Sequence, residues 1–217
     1  MLTCYTLGAV PPFAHGLVRD LRVRWAMEEA GFPYQVRIVG EDISAEDYRA
    51  LQPFGQVPAV EEDGFTLFET GAIVLHIAEK SDRLLPGGPT QRARTIQWMF
   101  AALNSIEPYA GQLVTIDVVH SDKAWAAERR AGVEEMVQNR LTVLATCLAE
   151  QDYLMGNAFT AADILMVTVL RMLRLTGSIV EDNAVLAAYV RRCEARPAFQ
   201  KALADHMAVF EREPVPA

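Results

Sequence analysis

The sequence is poor in cysteine and in positive charge. Its 217 residues include only 3 cysteines, Cys4, Cys147 and Cys193, spaced too widely for a disulfide framework or a zinc site. Their scarcity suits a reducing compartment, and we expect a cytoplasmic protein without a metal. The net charge of −8 opposes phosphate backbones, so we expect no nucleic acid partner.

Long apolar runs are also lacking. The longest, Ile164 to Leu170, ends at Arg171 and is far shorter than the roughly 20 residues that cross a bilayer. Met1 to Tyr5 shows no basic region leading into an apolar core, so we expect neither a signal peptide nor a membrane partner. Apolar residues nevertheless make up 51% of the chain, which is enough to bury a full core.

The first 80 residues alternate between strand and helix patterns. Two short apolar runs flank Asp63-Gly64 and predict a hairpin. The predicted order is β-α-β-α-β-β-α, which is the order of a thioredoxin-like domain. The predicted elements are strands at Leu2–Leu7 and Tyr34–Ile38, a helix at Leu17–Gly31, a short helix from Ser44 to near Leu51, hairpin strands at 57–60 and 65–68, and a helix at Thr70–Lys80.

The pattern changes after residue 80. Turn residues cluster at 81–89, which we interpret as a linker, and everything from Thr90 onward has helical spacing. The fold class is therefore an α/β thioredoxin-like domain at 1–80 followed by an all-α helical domain at 90–217. The predicted helices are Thr90–His120 with a bend at Pro108, one containing Val133 to Leu148, Ala161–Leu175, Ala184–Arg196 and Ala198–Phe210.

Pro58 stands where a strand begins, although proline cannot donate to a sheet ladder. A cis bond between Val57 and Pro58 would leave the Val57 backbone groups facing outward, where they could bind an extended peptide like another strand. The alternative is an ordinary proline of an edge strand.

Glu69 and Thr70 lie where the second hairpin strand leads into a helix. The free N–H groups of a helix N-terminus and the Thr70 hydroxyl suit a carboxylate, while Glu69 suits an ammonium. Together they fit an α-amino acid headgroup. Antiparallel pairing should bring this site to the same end of the sheet as Pro58. The alternative is that both residues only cap the helix.

The segment Gln52-Pro-Phe-Gly-Gln-Val-Pro58, followed by Phe68-Glu-Thr-Gly71, resembles the glutathione transferase family. The resemblance extends over nearly the whole chain. It implies that glutathione is a co-substrate and that the protein is a homodimer. It also implies that Gln56 contacts the glycyl end of glutathione, that Val57 and Pro58 hold the cysteinyl backbone, and that Glu69 and Thr70 hold the γ-glutamyl group.

A second motif supports the resemblance. Gly156-Asn-Ala-Phe-Thr160-Ala-Ala-Asp163 is similar to the family's Gly-x-x-Phe-Ser/Thr-x-Ala-Asp signature. Independently of the family, Thr160 fits an N-cap and Asp163 the third helical position, where its side chain can bond back to the cap. We therefore predict that Thr160 and Asp163 are structural residues.

Glutathione transferases place a Tyr, Ser or Cys after the first strand to favour the thiolate. In this sequence the position falls on Val10 when counted forward, or near Arg19 when counted back from the helix. The candidate catalytic residues are Arg19 by charge, His15 as a base, and Tyr5 as a hydrogen-bond donor. The alternatives are a solvated arginine, a loop histidine without a role and a core tyrosine.

By analogy with the family, a second substrate would contact the helix that starts at Thr90. The candidates are Met99, Leu103 and Glu107, with Asn104 and Tyr109 beside them. We interpret the protein as a transferase that conjugates the glutathione thiol to a small electrophile, or uses it in a related isomerisation or reduction. The alternative is a non-catalytic binding or interaction module of the same fold. A thiol reductase would need a cysteine at the first helix, but Cys4 lies within the first strand.

Overall fold

The computed structural model describes residues 1–39 and 46–211. It divides into two compact units. The first comprises Met1–Leu84 together with the chain from Arg196 onward, and the second comprises Leu85–Ala195.

The first unit contains a four-stranded mixed sheet in the order β2-β1-β3-β4. The central strand β1 pairs parallel with β2 and antiparallel with β3, and β3 forms a hairpin with β4. This topology confirms the predicted thioredoxin-like order. The strands are β1 Leu2–Leu7, β2 Tyr34–Val39, β3 Ala59–Glu62 and β4 Phe65–Phe68.

Three helices lie between and after these strands: α1 Asp20–Ala30, α2 Glu46–Arg49 and α3 Thr70–Glu79. Helix α1 begins at Asp20 rather than at the predicted Leu17, because a 3₁₀ turn at Pro12–Ala14 and a left-handed Gly16 (φ 71°) occupy the preceding loop. The predicted start of the short helix, Ser44, lies outside the described residues.

The last helix, α9 (Pro197–Phe210), belongs to the first unit and packs on α1. Trp25 of α1 meets Phe199 edge-on, with 4.7 Å between ring centroids. Arg196 donates to both carboxylate oxygens of Glu29, at 2.5 and 2.7 Å. The unit boundary therefore differs from the predicted domain range of 90–217. The apolar spacing of α9 in the sequence predicts that one face of the helix is buried, but it does not predict which element covers that face.

The second unit is helical, as predicted. Its helices are α4 Pro89–Phe100, α5 Glu107–Val114, α6 Ala124–Leu148, α7 Ala161–Met172 and α8 Ala184–Glu194. Between α4 and α5 the predicted bend near Pro108 is a π-helical segment, Ala101–Ile106, in which Glu107 N donates to Ala102 O. Proline cannot make the regular helical hydrogen bond and its ring crowds the carbonyl four residues earlier, so the wider turn relieves that contact. A second π-helical segment, Thr115–Val119, follows α5.

Helix α7 forms the core of the second unit, since every residue from Ala161 to Leu170 is buried. Within residues 1–39 and 46–211, no helix combines the length and apolar character needed to cross a membrane. The same residues contain no cluster of three or more His, Cys, Asp or Glu side chains suited to a metal ion.

Candidate functional site

Three segments of the first unit meet at one end of the sheet. The hairpin register sets Ala59 opposite Phe68, so Pro58 and Glu69, the next residue on each strand, lie at the same end. Cys4 pairs with Val60 in the antiparallel direction, which brings the carboxyl end of β1 to this end as well. This register confirms the prediction that Pro58 and Thr70 lie near the same end of the sheet.

The loop before β3 is held by two polar side chains. The buried Gln52 side chain accepts hydrogen bonds from the backbone N–H groups of Phe54 (2.7 Å) and Gln56 (3.2 Å) through Oε1. The Tyr48 hydroxyl donates to the Gln56 carbonyl at 2.7 Å. The Val57–Pro58 peptide bond is cis, as predicted. The Gln56 backbone is therefore fixed while its side chain is exposed.

Glu69 precedes α3 in an unusual backbone conformation. Its φ of 69° and ψ of 115° lie outside the regions that non-glycine residues favour. Such strain costs on the order of 1–3 kcal/mol and concentrates at functional sites. The Glu69 side chain is exposed and makes no capping hydrogen bond to the helix, so its carboxylate remains available to a ligand.

Thr70 is the first residue of α3 and is buried. Its Oγ1 accepts a hydrogen bond from Arg22 Nη1 of α1 at 3.1 Å. This contact joins the first turns of α1 and α3. No local pattern signals this contact, since Arg22 lies close to two other arginines, Arg19 and Arg24, and spacing alone does not show which of them is buried.

Arg19 and His15 occupy different surroundings. Arg19 is exposed and immediately precedes α1, at the end of the sheet described above. His15 is half-buried and stacks on Phe210 of α9, with 4.8 Å between ring centroids and 8° between planes. The loop therefore presents Arg19 at the helix N-terminus and packs His15 against the last helix.

Tyr5 is buried within β1 and its side chain contacts β3. Its hydroxyl donates to Glu61 Oε2 at 2.9 Å, and its ring packs with Tyr48 and Ala59 in a small core. Glu61 lies further along β3 from Pro58. Burial and the Glu61 carboxylate raise the pKa of the Tyr5 phenol. The hydroxyl is thus engaged away from the Pro58 end.

Cys4 is fully buried within β1. Burial and the charge of Asp20 raise the pKa of its thiol well above the ordinary value. A buried, protonated thiol is a poor nucleophile, which agrees with the expectation that Cys4 performs no disulfide chemistry.

The proposed second-substrate residues lie in three consecutive segments, Met99 in α4, Leu103 in the π-helical segment and Glu107 in α5. Met99 and Glu107 are buried, and Leu103 is half-buried within the π-helical segment. π-Helical segments occur frequently at functional positions, because the extra residue in the turn redirects a side chain.

Thr160 and Asp163 form a capping box at the start of α7. Asp163 accepts four hydrogen bonds: from the backbone N–H groups of Leu154 (2.9 Å) and Thr160 (2.8 Å), from the Thr160 hydroxyl (3.0 Å) and from the Tyr189 hydroxyl (2.9 Å). Burial raises the pKa of Asp163 although all four donors favour its ionised form. With its oxygens engaged in this way, the side chain holds a helix, a loop and α8 together.

Sequence reasoning missed a second buried polar cluster at the start of α1. Asp20 Oδ2 accepts from Arg24 Nε at 2.7 Å and lies 3.2 Å from His206 Nδ1 of α9. All three side chains are almost completely buried. The spacing of Asp20 and Arg24 signals a helical ion pair, but no local pattern connects them with His206, which lies 186 residues further along the chain.

Comparison with known proteins gives a consistent result. Models of the glutathione S-transferase N-terminal and C-terminal domains match residues 13–79 and 99–197. A glutathione S-transferase of Hyoscyamus muticus is 30% identical over 198 residues, covering 84% of this chain and 92% of that protein. Glutathione S-transferase 4 of Zea mays is 29% identical over 203 residues, covering 89% and 88%.

Among solved structures, a glutathione transferase family member from Pseudomonas fluorescens with two glutathione bound has the same fold. Its TM-score is 0.81 at 23% identity, with 93% of this chain and 92% of that chain covered. The fold, both domain models and the sequence relatives agree over most of the chain. The chain therefore belongs to the glutathione S-transferase family and is a glutathione transferase enzyme.

Proposed function

We propose that the enzyme binds glutathione at the sheet end formed by Val57, Glu69 and Thr70, and adds its sulfur to a small electrophile. The observation that carries this proposal is the hairpin register, which sets Pro58 beside Glu69 at one end of the sheet. The Pseudomonas fluorescens structure with two glutathione bound, a protein of the same fold, supports the choice of ligand.

Each end of the tripeptide has a chemically matched group. The exposed Glu69 carboxylate pairs with the γ-glutamyl ammonium, and the Thr70 hydroxyl with the α3 N-terminus receives the γ-glutamyl carboxylate. The backbone of Val57 pairs with the cysteinyl residue, as an added strand would. The exposed Gln56 side chain, carried on a fixed backbone, reaches the glycyl carboxylate.

The clamp predicts a specific loss of binding. Thr70→Val removes the hydroxyl at nearly constant volume, and Glu69→Gln removes the charge that pairs with the ammonium. Each is expected to weaken glutathione binding by about 10–100-fold, since a hydrogen bond to a charged group contributes roughly 1.5–3 kcal/mol. Isothermal titration calorimetry measures the dissociation constants. Thr66→Val, at an exposed position on β4, is the matched control and should bind like the wild type.

Arg19 is proposed as the residue that favours the thiolate. It lies at the N-terminus of α1, where its charge and the helix dipole both favour an anion. A free thiol has a pKa of about 8.5, so a cation within a few ångströms increases the reactive fraction at neutral pH. His15 and Tyr5 remain the other candidates, and we rank Arg19 first because it lies at the N-terminus of α1.

A titration of bound glutathione distinguishes the three. The thiolate absorbance of the complex, followed across pH, should give a thiol pKa about 1–3 units below that of free glutathione. Arg19→Ala should return the pKa toward the free value and lower kcat/KM by about 10–100-fold at pH 6.5, whereas His15→Ala and Tyr5→Phe should leave both nearly unchanged.

Other outcomes of that titration have definite meanings. An altered pKa in His15→Ala or Tyr5→Phe, with none in Arg19→Ala, would transfer the role to that residue. Binding without any pKa shift would favour a glutathione-dependent isomerisation or reduction that needs no preformed thiolate, or a non-catalytic binding module. No binding by the wild type would refute the site itself.

Three further parts of the proposal concern the rest of the protein. We propose that Met99, Leu103 and Glu107 contact the electrophile, so Leu103→Ala should raise the KM for an apolar electrophile while the KM for glutathione stays constant. We also propose that the protein is a homodimer, in line with the family, and sedimentation equilibrium tests this directly.

We further propose that the protein is cytoplasmic, because its three free cysteines suit a reducing compartment.

A further inference from the structure

Arg22 is the third residue of α1, and its side chain is only 2% exposed. Its guanidinium extends to another helix, where Nη1 donates to the Thr70 hydroxyl at 3.1 Å. Arg24, two residues later on the same helix, has different partners: it donates to the Asp20 carboxylate and to the Asp205 carbonyl. The two buried arginines are therefore not equivalent, and only Arg22 is directed at the first turn of α3.

This contact determines what the Thr70 hydroxyl can do. A hydroxyl carries one proton and two acceptor lone pairs. Because arginine has only donors, Thr70 Oγ1 accepts from Arg22, and its own proton is directed to another acceptor. A hydroxyl that accepts from a cation is also polarised into a stronger donor.

The electrostatic consequence acts in the same direction. A guanidinium is charged at every relevant pH, and in a buried location its field is screened less than at the surface. It contacts the first residue of α3, and the free N–H groups of that helix N-terminus already favour an anion. The hydroxyl, the helix N-terminus and the cation thus all lie at the first turn of α3.

We infer that Arg22 is a positioning residue for the α-carboxylate of the γ-glutamyl group. It holds the Thr70 hydroxyl as a donor and strengthens the positive field at the α3 N-terminus without touching the ligand. This inference rests on the proposed glutathione site. Its consequence is selectivity: the enzyme prefers glutathione to the same tripeptide without the γ-glutamyl α-carboxylate, and Arg22 is one source of that preference.

The test compares two ligands on the intact protein by calorimetry: glutathione and 4-aminobutanoyl-cysteinyl-glycine, which lacks only that carboxylate. Arg22→Met is expected to weaken glutathione binding by about 10–50-fold and the analogue by less than about 2-fold, so that selectivity largely disappears. The KM for glutathione should rise by a similar factor, while kcat at saturating glutathione stays within about threefold. Arg83→Met, an exposed arginine of the same unit, should behave like the wild type.

A double-mutant cycle with Arg22→Lys covers the case in which Arg22→Met does not fold. Lysine keeps the charge but loses the fixed fork of the guanidinium, so it should weaken glutathione binding by about 3–10-fold. In a Thr70→Val background the same change should have less than about a twofold effect, because the hydroxyl that Arg22 orients is gone.

The outcomes separate the inference from the function on which it rests. If the wild type does not bind glutathione, the proposed function fails. If the wild type binds glutathione more tightly than the analogue, but a folded Arg22→Met retains the same affinity and the same preference, Arg22 is a structural residue only. The inference is then overturned. The inference is also overturned if Arg22→Lys weakens glutathione binding by the same factor in the wild-type and Thr70→Val backgrounds.

Discussion

Asp163→Ala is expected to lower the free energy of unfolding by about 3–5 kcal/mol, measured by urea denaturation with circular dichroism. The substitution leaves four donors without their acceptor: the backbone N–H groups of Leu154 and Thr160 and the hydroxyls of Thr160 and Tyr189. All lie in a buried region, where an unsatisfied donor costs roughly 1–3 kcal/mol. Such a loss is a large share of the total stability of a typical domain, which is about 5–15 kcal/mol.

Asp163→Asn tests the same cluster with little change in shape. In asparagine an NH2 group replaces one of the carboxylate oxygens and faces donors that need an acceptor. We therefore expect the free energy of unfolding to fall by about 2–3 kcal/mol even without a cavity. Asp122→Ala is the control, because Asp122 is exposed and pairs with the neighbouring Lys123 in an ion pair of the kind that contributes little. If Asp163→Ala destabilised the protein no more than Asp122→Ala, the assignment of Asp163 as a structural residue would be wrong.

Much of the fold was predictable from local patterns. The capping box at Thr160 and Asp163 and the hairpin around Asp63-Gly64 each depend on residues close together in the chain, and the structure contains both. The same holds for the change from α/β to helical composition after the linker. These features depend on turn chemistry and periodicity, which are properties of short segments.

Features that depend on distant partners were not predictable. The face of α9 indicated burial, but its contacts with Trp25 and Glu29 on α1 depend on where the two helices meet. At the candidate site, Glu69 and Thr70 were found because strand and helix patterns meet there. The role of Arg22 was not predictable, because an arginine in an amphipathic helix is expected to lie at the surface. Its burial becomes evident only from its contact with Thr70 of α3.

Asp20→Ala is expected to destabilise the first unit by about 3–5 kcal/mol in urea denaturation, because it removes one member of a buried charged cluster. Arg24 would lose its acceptor at Nε, and His206 Nδ1 would lose the carboxylate to which it donates. Three further atoms of the cluster, Asp20 Oδ1, Arg24 Nη2 and His206 Nε2, have no hydrogen-bond partner within the described part of the chain, so the two contacts to Asp20 Oδ2 are important for holding the cluster together. Lys201→Ala is the matched control, since Lys201 also bridges α1 and α9, through Glu28, but at the surface. We expect that control to lose less than about 1 kcal/mol.

The cluster also predicts how stability depends on pH. Burial alone would raise the pKa of Asp20, but the hydrogen bond and charge of His206, together with Arg24, outweigh it and hold the pKa below its usual range. Cys4 of β1 also faces this group, and its thiol stays protonated across the relevant pH range because burial raises its pKa. An unfolded aspartate titrates near pH 3.9, above the folded value, so the unfolded chain takes up the proton first.

The stabilisation from ionised Asp20 is therefore complete above about pH 5 and is lost as the pH falls from about 4 through the lower folded-state pKa. Wild type and Asp20→Asn should differ most in unfolding free energy at pH 6 and should converge below pH 4, while Asp122→Asn follows the wild type throughout. A difference that stayed constant from pH 6 to pH 3 would show that Asp20 acts through packing rather than through its charge. A difference that narrows on acidification would identify the Asp20–His206 pair as an electrostatic link between the first turn of α1, beside Arg19, and the last helix.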